Sequence, residues 1–99
     1  MADVMGWAQI VSQEMGLVII TGSDCVHCVE LEATLCEKPI NVPTCWLNKE
    51  NAAELFAQFP LFAASIDVLP FVGIFSLGQG KAVVRAATHE RITEALDRL

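Results

Sequence analysis

Cys25-Val26-His27-Cys28 is the stretch of this 99-residue chain whose residue types and spacing could do chemistry. Sulfur attacks as the thiolate, and a thiolate is favoured where unpaired backbone N–H groups at a helix start, or a nearby cation, meet its charge. Two cysteines separated by two residues therefore point to thiol–disulfide exchange. Cys25 falls at or just before the first helical turn and is the candidate nucleophile. Cys28, one turn inside, is placed to attack a mixed disulfide formed at Cys25 and so release the product. An imidazole or imidazolium at His27 would stabilise the thiolate, favouring the reduced form and a more oxidising couple. Asp24 pulls the other way, unless its carboxylate is turned away or caps the helix. Weighing the two neighbours gives an expected potential of about −250 to −180 mV. The alternatives for the pair are two small buried hydrophobic residues or half of a zinc site.

These residues need a scaffold, and the flanking sequence supplies one. Leu17 to Thr21 is an apolar run without alternation, which predicts a strand buried on both faces. Gly22-Ser23-Asp24 is a tight connector, and the period then becomes helical, with Cys28, Leu31 and Leu35 inward and a stop before Pro39. Upstream, Asp3 can cap a helix in which Val4, Trp7, Ala8, Val11 and Met15 share a face and Gly16 closes the last turn. Downstream, Thr44 to Asn48 reads as a second, parallel strand, with Asn48 or Asn51 starting a helix that Pro60 must break or kink. A strand over 71–76 follows Pro70, then a turn over 77–80 and a hairpin partner over 81–86. Thr88 can cap a final helix with Ile92, Ala95, Leu96 and Leu99 as its buried stripe.

Bulk composition narrows the function classes. The chain is 54% hydrophobic and 18% charged, enough for one modest core, so residues 1–99 are expected to form a single domain. A net charge of −6 without any Lys/Arg cluster gives no electrostatic footprint for nucleic acid. No apolar stretch is long enough to span a membrane, and residues 1–6 lack a basic and apolar leader pattern, so the expected compartment is cytoplasmic. If 28–36 is helical, Cys28 and Cys36 are separated by roughly 12 Å, beyond disulfide reach. Only Cys25 and Cys28 are then locally placed to bridge. Cys36 and Cys45 are expected in the core, Trp7 and Trp46 as packing residues, and His89 at the surface.

The element order, with a Cys-x-x-Cys after the first core strand and an X-Pro before the hairpin, resembles the thioredoxin fold over essentially the whole chain. That resemblance implies an α/β protein with a central mixed four-stranded sheet flanked by about four helices. It implies a cis-proline at Pro70 beside the sulfurs, with the Leu69 backbone available to pair with an extended substrate and Val26, Leu69 and Phe71 forming an apolar docking patch. The Cys-x-His-Cys pattern is similar to that of protein disulfide isomerases and periplasmic disulfide oxidases. The chain also departs from the family. Asp24 stands where thioredoxins usually have tryptophan, and Ile19 where they place a buried carboxylate, leaving a water or Glu30 to accept the proton. The glycine before the last helix corresponds to Ala86 or Ala87. Arg85 to His89 lacks the Gly-Gly-Asp of glutaredoxins, which ranks glutathione use below protein dithiol exchange.

Two readings follow. The first is a cytoplasmic, monomeric thiol–disulfide oxidoreductase cycling Cys25 and Cys28 against protein substrates. It would need no bound cofactor or metal and would be recharged by a thioredoxin-reductase-like or glutathione-linked reductant. The second is a protein-binding module whose cysteines are structural, vestigial or zinc-bound.

Overall fold

Leu17, Val18, Ile19 and Ile20 are all fully buried, which requires neighbours on both edges of their strand and covering layers on both faces. The computed structural model, which describes residues 7–66 and 68–99, supplies both. The expected cap Asp3, the helix residue Val4, and Asp67 ahead of Pro70 lie outside the described residues. Strand β1 (Gly16–Thr21) pairs in parallel with β2 (Thr44–Asn48) and antiparallel with β3 (Phe71–Ser76), and β4 (Gln79–Val84) adds beyond β3. The sheet is mixed and four-stranded, in the order β2-β1-β3-β4.

Alternate residues of β1 feed two cores, as the two-residue period of a strand requires. Val18 and Ile20 join Ile10, Leu55, Phe62 and Phe71 beneath α1 (Trp7–Ser12), α3 (Ala53–Gln58) and α4 (Pro60–Ser65). Leu17 and Ile19 join Leu31, Val72, Ile74 and Ile92 beneath α2 (Val26–Glu37) and α5 (His89–Asp97). The architecture is the expected α/β one, with the third helical region in two pieces. Pro60 makes the break by occupying the first position of α4, where its missing N–H has no helical partner to lose. Of the two asparagines, Asn48 starts the preceding short 3-10 turn, its side-chain oxygen accepting from the Glu50 N–H at 2.9 Å. Thr88 caps α5 as expected, its hydroxyl oxygen accepting from the Arg91 N–H at 3.1 Å.

Three local expectations are corrected. Gly16 does not close the first helix. Among the described residues α1 ends at Ser12, and Gly16 opens β1, where a Cβ would collide with the Ile10 carbonyl. Leu99 is not part of the buried stripe; it lies beyond α5 and is exposed. The hairpin turn is only Leu77-Gly78, so β4 begins at Gln79.

Both turn residues have positive φ, 51° and 82°, the pattern of a tight two-residue hairpin turn. An exposed leucine is a poor occupant of that conformation. The Leu77 N–H donates to the Gln13 carbonyl (2.8 Å) and the Gly78 N–H to the Val11 carbonyl (2.7 Å), which ties the tip to the end of α1. Leu77→Asn keeps those backbone bonds and is expected to stabilise the protein by about 1 kcal/mol, read as a higher urea midpoint. A lower midpoint would mean that the leucine side chain contributes packing there.

Candidate active site

The site grows out of the C-terminal end of β1. After Thr21 the chain turns through Gly22-Ser23-Asp24, with Asp24 at φ 54°, and Cys25 is extended (φ −101°, ψ 97°) as the N-cap of α2. Its Sγ accepts from the Cys28 N–H at 3.1 Å, taking the place a serine or aspartate oxygen usually fills. Asp24 is therefore not the cap; its backbone makes the turn, and the residue is exposed. Cys25 and Cys28 form a disulfide, with Cα atoms 5.2 Å apart. The half-buried Cys25 is the sulfur a partner can reach, since Cys28 is only 6% exposed.

A second loop meets this corner. The Leu69–Pro70 peptide is cis, and the Leu69 side chain lies so close to Gly22 that a Cβ at Gly22 would strike it. The Pro70 carbonyl accepts from the Ala87 N–H at 2.9 Å, tying this loop to the start of α5. Ala86, at φ 49°, adopts the left-handed conformation for which the resemblance expects a glycine.

Two grooves flank the cysteine motif. One, of about 490 Å³, is lined by Cys25, Cys28, Val26, Trp46, Asp24 and Glu32 among others. The second, of about 350 Å³, brings together His27, Glu30, Leu69, Pro70, His89 and Arg91. His27 Nδ1 lies 3.1 Å from Glu30 Oε1, with both side chains well exposed. A carboxylate there offsets the field an imidazolium would exert on the sulfurs, and in water such a pair is worth little. Glu30 is thus engaged with His27. Glu32, one turn along α2 from Cys28, shares a groove with both cysteines, as does Asp24.

Of the expected docking residues, Val26 is 69% exposed and Leu69 half-buried, while Pro70 is buried with its loop lining the second groove. Phe71 must be removed from that set. It is fully buried and points into the core beneath α4, because it pairs with Ile20 and shares that residue's face. Trp46 is corrected in the opposite sense. Expected to be packed, it is 38% exposed in the cysteine groove, because among the described residues β2 is an edge strand with no neighbour on its outer side. Cys36 is exposed rather than in the core. Cys45 is half-buried, and burial pushes its thiol pKa up.

Sequence reasoning did not bring Trp46, Glu32, His89 and Arg91 to the site. The helical spacing from Cys28 to Glu32 was a usable signal; the other three depend on strand register and loop placement. Trp46 is the Cα partner of Ile19, so the position expected of a buried acid belongs to an apolar pair. Among the described residues none that is polar or charged is buried, and no three His, Cys, Asp or Glu side chains gather where they could hold a metal.

No family model and no curated protein matches the sequence. Solved structures do. Chlamydomonas reinhardtii thioredoxin f2 is 15% identical, superposing over 95% of this chain and 88% of that one with a TM-score of 0.69. Schistosoma mansoni thioredoxin is 11% identical over 99% and 88%, with a TM-score of 0.73. Spinach chloroplast thioredoxin f is 16% identical over 93% and 83%, with a TM-score of 0.69. The chain has the thioredoxin fold, carrying a disulfide-bonded Cys25-Val26-His27-Cys28 at the start of its second helix.

Proposed function

We propose that the protein is a thiol–disulfide oxidoreductase acting on protein substrates, with Cys25 as nucleophile, Cys28 as resolving thiol and His27 as a modest tuning group. The observation that carries this reading is the Cys25–Cys28 disulfide at a helix start, one sulfur reachable and the other buried behind it. In the reducing direction the Cys25 thiolate attacks a substrate disulfide, forming a mixed disulfide and expelling one substrate thiolate. The Cys28 thiolate then attacks the Cys25 sulfur, the Cys25–Cys28 bond forms, and the second substrate thiolate leaves. Two electrons pass from the dithiol to the substrate, and each released thiolate takes up a proton. The reverse sequence oxidises a substrate dithiol.

No bound cofactor enters these steps. A thioredoxin-reductase-like or glutathione-linked system would return the electrons, and the exposed, unpaired Cys36 suits a reducing compartment such as the cytoplasm. The competing reading, a binding module with redox-silent cysteines, draws on Asp24 in place of tryptophan and on the apolar Ile19–Trp46 pair.

Equilibration across graded glutathione buffers, followed by thiol alkylation, mass spectrometry and a zinc assay, separates the two. The expected outcome is one reversible two-electron transition confined to Cys25 and Cys28, with a midpoint of about −250 to −180 mV. Exposed Cys36 should alkylate faster than Cys45, whose thiol is less acidic. Absence of the transition, or one zinc per chain, would favour the binding module.

A further inference from the structure

The two grooves beside the disulfide carry different charges. Among the described residues, the groove holding Cys25 and Cys28 is lined by two carboxylates, Asp24 and Glu32, and by no Lys, Arg or His. Its apolar walls are the indole of Trp46 and the exposed side chains of Val26 and Val29. The groove on the His27 side contains His27, His89 and the Arg91 guanidinium, which donates to the Arg85 carbonyl at 3.2 Å, and Glu30 is the only carboxylate among the described residues that line it.

An open slot with an aromatic wall and carboxylates fits one class of side chain. An alkyl stem can lie along Val26 and Val29 while its cationic head meets the indole and the carboxylates. Lys and Arg have that construction, and Arg also stacks well on an indole. A glutamate would meet two like charges, and a neutral side chain would gain the apolar contact alone.

We propose that the Trp46 groove selects protein substrates carrying an Arg or Lys beside the reacting cysteine, with Trp46, Asp24 and Glu32 as its specificity-determining residues. The proposal rests on the oxidoreductase reading and names the substrate class for that site. Trp46 thereby does from β2 what an aromatic residue at position 24 could do from the loop.

The test uses the reduced full-length protein and peptides that share one internal disulfide and differ only beside the first cysteine, in Arg, Gln or Glu. For the wild-type protein at low salt, kcat/KM for the Arg peptide should exceed that for the Gln peptide about threefold and that for the Glu peptide about tenfold. These figures are what one cation–π contact and two exposed ion pairs supply. The Arg-to-Glu ratio should shrink severalfold in 0.5 M salt, as partly screened contacts do. Trp46→Ala and Glu32→Gln should each lower the Arg-to-Gln ratio; taking the ratio within each variant cancels any general loss of activity. Equal rates on all three peptides would overturn the inference and leave the oxidoreductase reading standing. A preference untouched by both substitutions would overturn its assignment to this groove. Failure to reduce any peptide would overturn the oxidoreductase reading and this inference with it.

Discussion

Cys28→Ser is expected to turn the protein into a trap: incubated with a disulfide substrate, it accumulates a mixed disulfide through Cys25, and multiple turnover falls by several orders of magnitude. The reason is the geometry at the start of α2. In the wild type the second thiol is already next to the bond it must break, with the two Cα atoms 5.2 Å apart. Well-oriented intramolecular groups reach effective concentrations of about 10⁵ M or more, far beyond any external thiol, so removing Cys28 leaves resolution to slow attack from solution. The adduct is read as a reducible mass shift on a non-reducing gel and mapped by mass spectrometry. It should vanish in the Cys25→Ser, Cys28→Ser double variant. If it persists there, the reacting sulfur is another one, and exposed Cys36 would be the first to examine.

The second large effect is on stability. Phe71→Ala should destabilise the fold by about 3–5 kcal/mol, the range for deleting a large buried aromatic ring. Phe71 is fully buried, its ring centroid lies 5.3 Å from that of Phe62, and Phe75 completes the cluster from the same strand. A chain of this size has about 5–15 kcal/mol of stability in total, so the variant would lose a large share of it. The melting temperature should fall by at least about 12 °C. Measured at a temperature where the variant is folded, KM for a peptide disulfide should change little. A small loss of stability with a large rise in KM would restore Phe71 to the docking surface.

Phe71 also illustrates what the sequence could and could not disclose. Its place in a strand after Pro70 was legible, because a run of apolar residues behind a proline has few other solutions. Its direction was not. Whether the first residue of β3 faces a core or a groove depends on its pairing with Ile20, a contact between segments about fifty positions apart. Trp46 is the same case on the other side of β1: the strand was evident, its position at the edge of the sheet was not. The caps at Asn48 and Thr88 and the break at Pro60 were readable because each acts on its own neighbours. The hairpin turn was drawn too long because Leu77 is an improbable residue for positive φ and is held there by bonds to α1, remote in sequence. At the site, the cysteine pair and its helix start were local features. The grooves were not, since each is assembled from elements that only the sheet order brings together.

The rung between Ile20 and Phe71 has a consequence for recognition. It stands one residue before the end of β1 and at the start of β3, so the loop bearing Cys25 and the loop bearing Leu69 both leave the sheet from the same rung. A slip of one residue would send the side chains of β3 into the opposite cores, which the packed aromatic rings forbid. The gap between the two loops is therefore held to the tolerance of a close-packed interior. For the oxidoreductase proposed above, the slot that a substrate backbone would enter is thus set by the register of the sheet, which a single truncation inside the core leaves in place.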